Sequence, residues 1–90
     1  MARVLLEYVI RPESPEVKIE ELEEELYQIA NELDIEIERM SREDFMFGMQ
    51  QIRLSVSIPE DNPDLQERFE EHLEKSEKIG SYELTYTTRL

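Results

Sequence analysis

The sequence predicts an α+β sandwich, a four-stranded antiparallel sheet with two helices on one face. Three observations lead there. Apolar residues recur at helical spacing in two stretches and alternate with polar ones in others. The stretches follow one another in the order β-α-β-β-α-β. Proline, glycine and polar clusters stand at the joints between them. Two amphipathic helices and short strands bury one sheet face together. The 90 residues suffice for one domain spanning 1–90, and no linker, low-complexity tract or repeat divides them.

Each element has its own warrant. The first strand, Arg3–Arg11, places Val4, Leu6, Tyr8 and Ile10 on one face, and Pro12 and Pro15 end it. A helix over Lys18–Glu32 carries Ile19, Leu22, Leu26, Ile29 and Leu33 as one stripe. Its other face is nearly all carboxylate: Glu20, Glu21, Glu23, Glu24 and Glu25. The second strand is Ile35–Arg42, and the polar run Ser41–Asp44 reads as a hairpin connection. The third, Met49–Ile58, alternates Ile52, Leu54, Val56 and Ile58 with Gln51, Arg53, Ser55 and Ser57. Asn62 as N-cap and Pro63 at the first helical position start a helix that runs to Lys75 and buries Leu65, Phe69 and Leu73. Gly80 turns the chain into the last strand, Ser81–Leu90, with Tyr82, Leu84 and Tyr86 on one face. This order is that of the ferredoxin-like sandwich, with sheet order 4-1-3-2, a fold that hosts many functions.

Composition excludes several of them. There are 23 acidic and 10 basic residues, a net charge of −13, so a basic face for nucleic acid or anionic membrane is not expected. No cysteine is present, which removes disulfides, thiolate metal sites and thiol catalysis. No apolar run reaches the ~20 residues of a membrane span, and Glu7 interrupts the N-terminus too early for a signal peptide. A cytoplasmic location is the expectation.

Chemistry of the bond-making kind finds no residues. His72 is the only histidine, and one imidazole makes no transition-metal site unaided. The carboxylates of the first helix read as a solvated face; the like-charge pairs Glu20/Glu24 and Glu21/Glu25 each cost about 0.2–0.5 kcal/mol. With Gly48 and Gly80 as the only glycines there is no phosphate-binding loop. The third strand lacks the aromatics with which RNA-recognition domains stack bases. Arg11-Pro12-Glu13-Ser14-Pro15 has the arginine of an acylphosphatase-like anion loop, but its prolines remove amide donors. No enzyme, cofactor or metal is expected.

Two features remain. Phe45-Met46-Phe47-Gly48-Met49 is an apolar cluster at a hairpin junction. The alternation set by Ile52, Leu54 and Val56 puts Phe47 and Met49 on the open face of the sheet, unless a bulge at Gly48 flips Phe47. The second is the chain end, where Arg89 stands one residue from the terminus of a very acidic chain.

Four stretches, in order and spacing, resemble the archaeal elongation factor 1-beta family and the C-terminal exchange domain of its eukaryotic counterpart. They are Val9–Val17 with its proline-bounded loop, Phe47-Gly48-Met49, the acidic Ile58-Pro59-Glu60-Asp61, and the closing Arg89-Leu90. Departures stand at Lys18 (commonly acidic), Met46 (commonly Ala), Asp61-Asn62-Pro63 (commonly a Gly-Gly-Thr-like turn) and Thr88 (commonly a second Arg). The resemblance implies a guanine-nucleotide exchange factor whose partner is the GTPase elongation factor 1-alpha. It implies that Arg89 reaches the partner's magnesium site, that Phe47 contacts the partner's second domain, and that Gly48, Met49 and Leu90 adjoin these contacts. The alternative is a ferredoxin-like regulatory, ligand-binding or oligomerising module without exchange activity, which expects a buried Phe47 or a self-association face.

Overall fold

The computed structural model describes residues 2–90. The elements are β1 (Arg3–Pro12), α1 (Ile19–Leu33), β2 (Glu36–Asp44), β3 (Gln50–Pro59), α2 (Asp64–Lys75) and β4 (Ile79–Arg89). The sheet order β2-β3-β1-β4 is the predicted one, with every neighbouring pair antiparallel. This is the ferredoxin-like α+β fold.

Leu6, Tyr8 and Ile10 of β1 lie in register beside Val56, Leu54 and Ile52 of β3, so one sheet face is continuously apolar. Leu22, Leu26, Ile29 and Leu33 of α1 and Leu65, Phe69 and Leu73 of α2 cover it. Tyr8 packs edge-on to Phe69, ring centroids 5.4 Å apart, and its hydroxyl donates to Glu70 Oε2 at 2.7 Å. Burial, then the bond to Glu70, pushes the Tyr8 hydroxyl well above the usual phenol range. The open face holds alternate residues of the same strands, including Glu7, Arg11, Gln51 and Arg53, linked as described below.

Around α2 and β4 the structure differs from the predicted pattern at three places. The second helix does not use Asn62 as its side-chain cap. Pro63, at φ −66°, occupies the cap, the helix begins at Asp64, and the Asn62 carbonyl accepts from Leu65 N–H at 3.2 Å. Proline's fixed φ already suits the helix, so the first turn closes on backbone bonds. Tyr86 does not share a face with Tyr82 and Leu84. A bulge puts Leu84 opposite Tyr8 but Tyr86 opposite Glu7, so Thr85 is extra and Tyr86 turns to the open face, 56% exposed. Gly80 lies inside β4, not in a turn before it, and glycine is needed there because a Cβ would meet the Pro12 carbonyl oxygen at 2.7 Å.

Helix α1 ends at Asp34, which takes the left-handed φ of 59°, and Ile35 N–H donates back to Ala30 O at 2.9 Å. Its acidic face is less uniform than the sequence implies. Arg42 donates to both Glu23 carboxylate oxygens, at 2.8 and 2.9 Å. The hydrogen bond from Arg42 holds the Glu23 carboxyl below the usual carboxylate range. Glu21 accepts from the Lys18 backbone N–H at 3.2 Å, half of a capping box.

Candidate functional site

The hairpin between β2 and β3 builds one end of the candidate site. Ser41–Asp44, expected as the connection, instead continues β2, pairing down to Asp44 opposite Gln50. Polar residues can stay in strand here because both faces satisfy them. Arg42 reaches α1 on one side, and Glu43 meets Gln51 and Arg53 on the other.

The turn is therefore the apolar cluster itself. Phe45 N–H donates to Met49 O at 2.7 Å, and Met49 N–H donates to Met46 O at 3.0 Å. The two central residues, Phe47 and Gly48, have φ of 55° and 75°. Those signs are those of a type I′ turn, which matches the twist of a hairpin but asks for glycine or asparagine. Phe47 thus sits at the tip, 95% exposed, in a backbone region that bulky side chains avoid. The Gly48 bulge considered in the sequence reading is not the device; Gly48 belongs to the turn. Phe47, Gly48 and Met49 form one wall of a groove of about 410 Å³ whose other wall is the end of β1 at Pro12 and the loop after it, with Pro15 and Val17.

A polar chain on the open face braces this turn. The Arg11 guanidinium lies 4.5 Å over the Phe45 ring, and its Nε donates to Gln51 Oε1 at 2.9 Å. Gln51 donates to Glu43 at 3.0 Å, Arg53 to Glu43 at 2.7 Å and to Glu7 at 2.9 Å, and Thr85 to Glu7 at 2.9 Å. The bonds from Arg53, then Gln51, hold the Glu43 carboxyl below its usual range. Sequence reasoning missed Arg11 and Phe45 as supports. A usable signal was present, since Arg11, Gln51 and Glu43 all carry polar groups at outward positions of neighbouring strands.

The opposite end of the sheet carries Arg89 and Leu90. Arg89 is paired with Val4, and Leu90 N–H donates to Arg3 O at 2.9 Å, so the backbone is held in the sheet to its end. The Arg89 side chain is 75% exposed, and its Nη2 donates to Glu60 Oε1. Leu90 is 63% exposed. Both β3 and β4 are antiparallel to β1 and so parallel to each other. Phe47 precedes β3 and Arg89 closes β4, which separates them by roughly 30 Å at ~3.3 Å per residue. The longest dimension is 41 Å.

His72 has no cluster around it: Nδ1 lies 2.9 Å from Arg68 O, and Nε2 lies 3.7 Å from Glu32. Among the described residues no group of three or more His, Cys, Asp or Glu could hold a metal. No helix among them is long and apolar enough to cross a membrane.

Comparison with known proteins places this geometry in a family. In overall fold the chain is similar to the C-terminal domain of MgtC from Mycobacterium tuberculosis, with a TM-score of 0.65 at 11% identity over 98% of this chain and 88% of that one. The regulatory subunit of aspartate kinase from Thermus thermophilus superposes with a TM-score of 0.54 at 18% identity, over 92% of this chain and 50% of that one. At those identities the likeness is one of fold alone. In sequence it is 34% identical to elongation factor 1-beta of Pyrobaculum aerophilum, covering 99% of this chain and 96% of that protein. It is 35% identical to the same factor of Pyrobaculum neutrophilum at the same coverage, and 34% identical to that of Hyperthermus butylicus over 100% of this chain and 97% of that one. Residues 5–90 match the family described as the EF-1 guanine nucleotide exchange domain. A match over nearly the whole chain, with full-length relatives above 30% identity, shows that this protein belongs to the EF-1 guanine nucleotide exchange domain family.

Proposed function

We propose that this protein is a guanine-nucleotide exchange factor that promotes GDP release from elongation factor 1-alpha during translation elongation, in the cytoplasm. The family and the names of its relatives support the exchange role. The finer division of labour rests on one observation. Two exposed side chains of opposite character, Phe47 and Arg89, stand at opposite ends of the sheet. That spacing suits a wedge against two domains of one GTPase and suits no single small-molecule pocket.

In this reading Phe47, flanked by Gly48 and Met49, anchors on one domain, and Arg89, with Leu90 beside it, enters the nucleotide site of another. Bound GDP is held by phosphate contacts and by Mg²⁺ bridging phosphate oxygens. A guanidinium brought close to that ion repels it, and with water excluded the repulsion is large. Arginine can also pair with a carboxylate that ligates the metal, since its planar fork matches a carboxylate. Either action loosens the phosphate end of the nucleotide. The protein makes and breaks no bond. The regulatory-module alternative expects a buried Phe47 or a self-association face, and the 95% exposure of Phe47 favours the exchange reading.

The test is release of fluorescent GDP from elongation factor 1-alpha. The full chain accelerates release; a chain lacking Arg89 and Leu90 still binds but accelerates it little. No acceleration by the folded full chain would sink the proposal.

A further inference from the structure

We propose that Glu60 is a positioning residue for exchange, acting through Arg89; the inference rests on the reading of Arg89 as the exchange element. Three strand ends meet at this corner. The Glu60 backbone N–H donates to Ala2 O at 3.0 Å, just past the end of β3, and Leu90 N–H donates to Arg3 O at 2.9 Å. Both the carboxylate and the arginine therefore spring from backbone tied into the sheet. Arg89 lies at the rim of the sheet, and its exposed side chain has several rotatable bonds to freeze on docking. Glu60, half as exposed, takes its Nη2.

Among the described residues, Nε and Nη1 of Arg89 donate to nothing, so most of the fork stays presented. An ion pair that fixes one corner of a guanidinium and leaves the others open preorganises it, and preorganisation lowers the cost of reaching the state, after docking through the far end, in which Arg89 is inserted and nucleotide leaves. The setting makes this matter. With 23 acidic residues against 10 basic ones, an arginine that is not held has many competing carboxylates on its own surface.

The experiment is a cycle of four proteins: the full chain, Glu60→Ala, Arg89→Ala and the double variant. Each is titrated against the partner GTPase loaded with fluorescent GDP. Glu60→Ala lowers the plateau release rate by up to about fivefold, the upper end of what exposed ion pairs contribute. It leaves the half-saturating concentration within about twofold, a split that general loss of structure does not give. In the Arg89→Ala background the same substitution changes nothing. Glu60→Gln, which keeps the shape and loses the charge, shifts the plateau in the same direction and guards against a folding defect. A plateau unchanged or raised by Glu60→Ala overturns the proposal, as does an equal loss in the Arg89→Ala background. If Arg89→Ala alone matches the full chain, the reading of Arg89 has failed first, and the role of Glu60 falls with it.

Discussion

Phe47 holds a backbone conformation that suits glycine, and it does so fully exposed to water. Nothing in the core rewards that choice; on the proposed reading the strain serves binding rather than folding. Stability and function should then move in opposite directions at this position. Phe47→Gly relieves a strain of about 1 kcal/mol and raises the melting temperature by about 4–8 °C in a domain of this size. The same substitution removes the proposed anchor, and loss of an aromatic anchor typically weakens binding by 2 kcal/mol or more, about thirtyfold. Calorimetry and titration against the GTPase check both halves. Gly48 differs: its φ of 75° demands glycine, but a methyl there would meet nothing within 4 Å. Gly48→Ala therefore costs only the backbone term, about 1–2 kcal/mol of stability.

At the scale of elements, most of the fold was legible in the sequence and the exceptions share a cause. The stripes Leu22-Leu26-Ile29 and Leu65-Phe69-Leu73, and the alternation Ile52-Leu54-Val56, report burial directly, and all are buried. What failed was the assumption that polar runs are connections. Ser41–Asp44 stays in β2 because Arg42 and Glu43 find partners on α1 and β3, contacts no local pattern reveals. The β4 bulge is equally invisible, because it depends on how Thr85 meets Glu7 across the sheet. Of the candidate site, Phe47 and Arg89 were picked out by the family resemblance; the outward polar positions of Arg11, Gln51 and Glu43 hinted at a brace, but its contact with Phe45 and the pairing of Glu60 required tertiary structure.

The ion pairs that tie these elements together have a pH signature. Glu23 and Glu43 titrate below their ordinary value of 4.5 in the folded chain. A depressed carboxylate contributes stability above the unfolded pKa and loses it as pH falls through the folded one. Stability should therefore decline from about pH 4.5 downward on account of these two groups. Glu23→Gln should melt less steeply with acid than the unaltered chain, as measured by circular dichroism across that window. Equal slopes would contradict the assignment.

The whole molecule is acidic and elongated, with a net charge of −13 and a 41 Å long axis. Such a charge acts over a Debye length, about 8 Å at physiological salt, and raises association rates with a basic surface more than it deepens affinity. Raising salt from 50 to 500 mM should slow association with the GTPase about tenfold or more and leave the plateau release rate nearly unchanged. An association rate indifferent to salt would show that the net charge plays no part in association.

In the proposed function the two ends do different work, one anchoring and one expelling nucleotide. Stopped-flow release of fluorescent GDP, followed across a range of exchange-factor concentrations, separates them in one measurement. Arg89→Ala should lower the plateau rate at least tenfold while the half-saturating concentration moves little. Phe47→Ala should raise the half-saturating concentration about thirtyfold with the plateau largely kept. Both substitutions shifting the same parameter by similar factors, or neither shifting any, would contradict it.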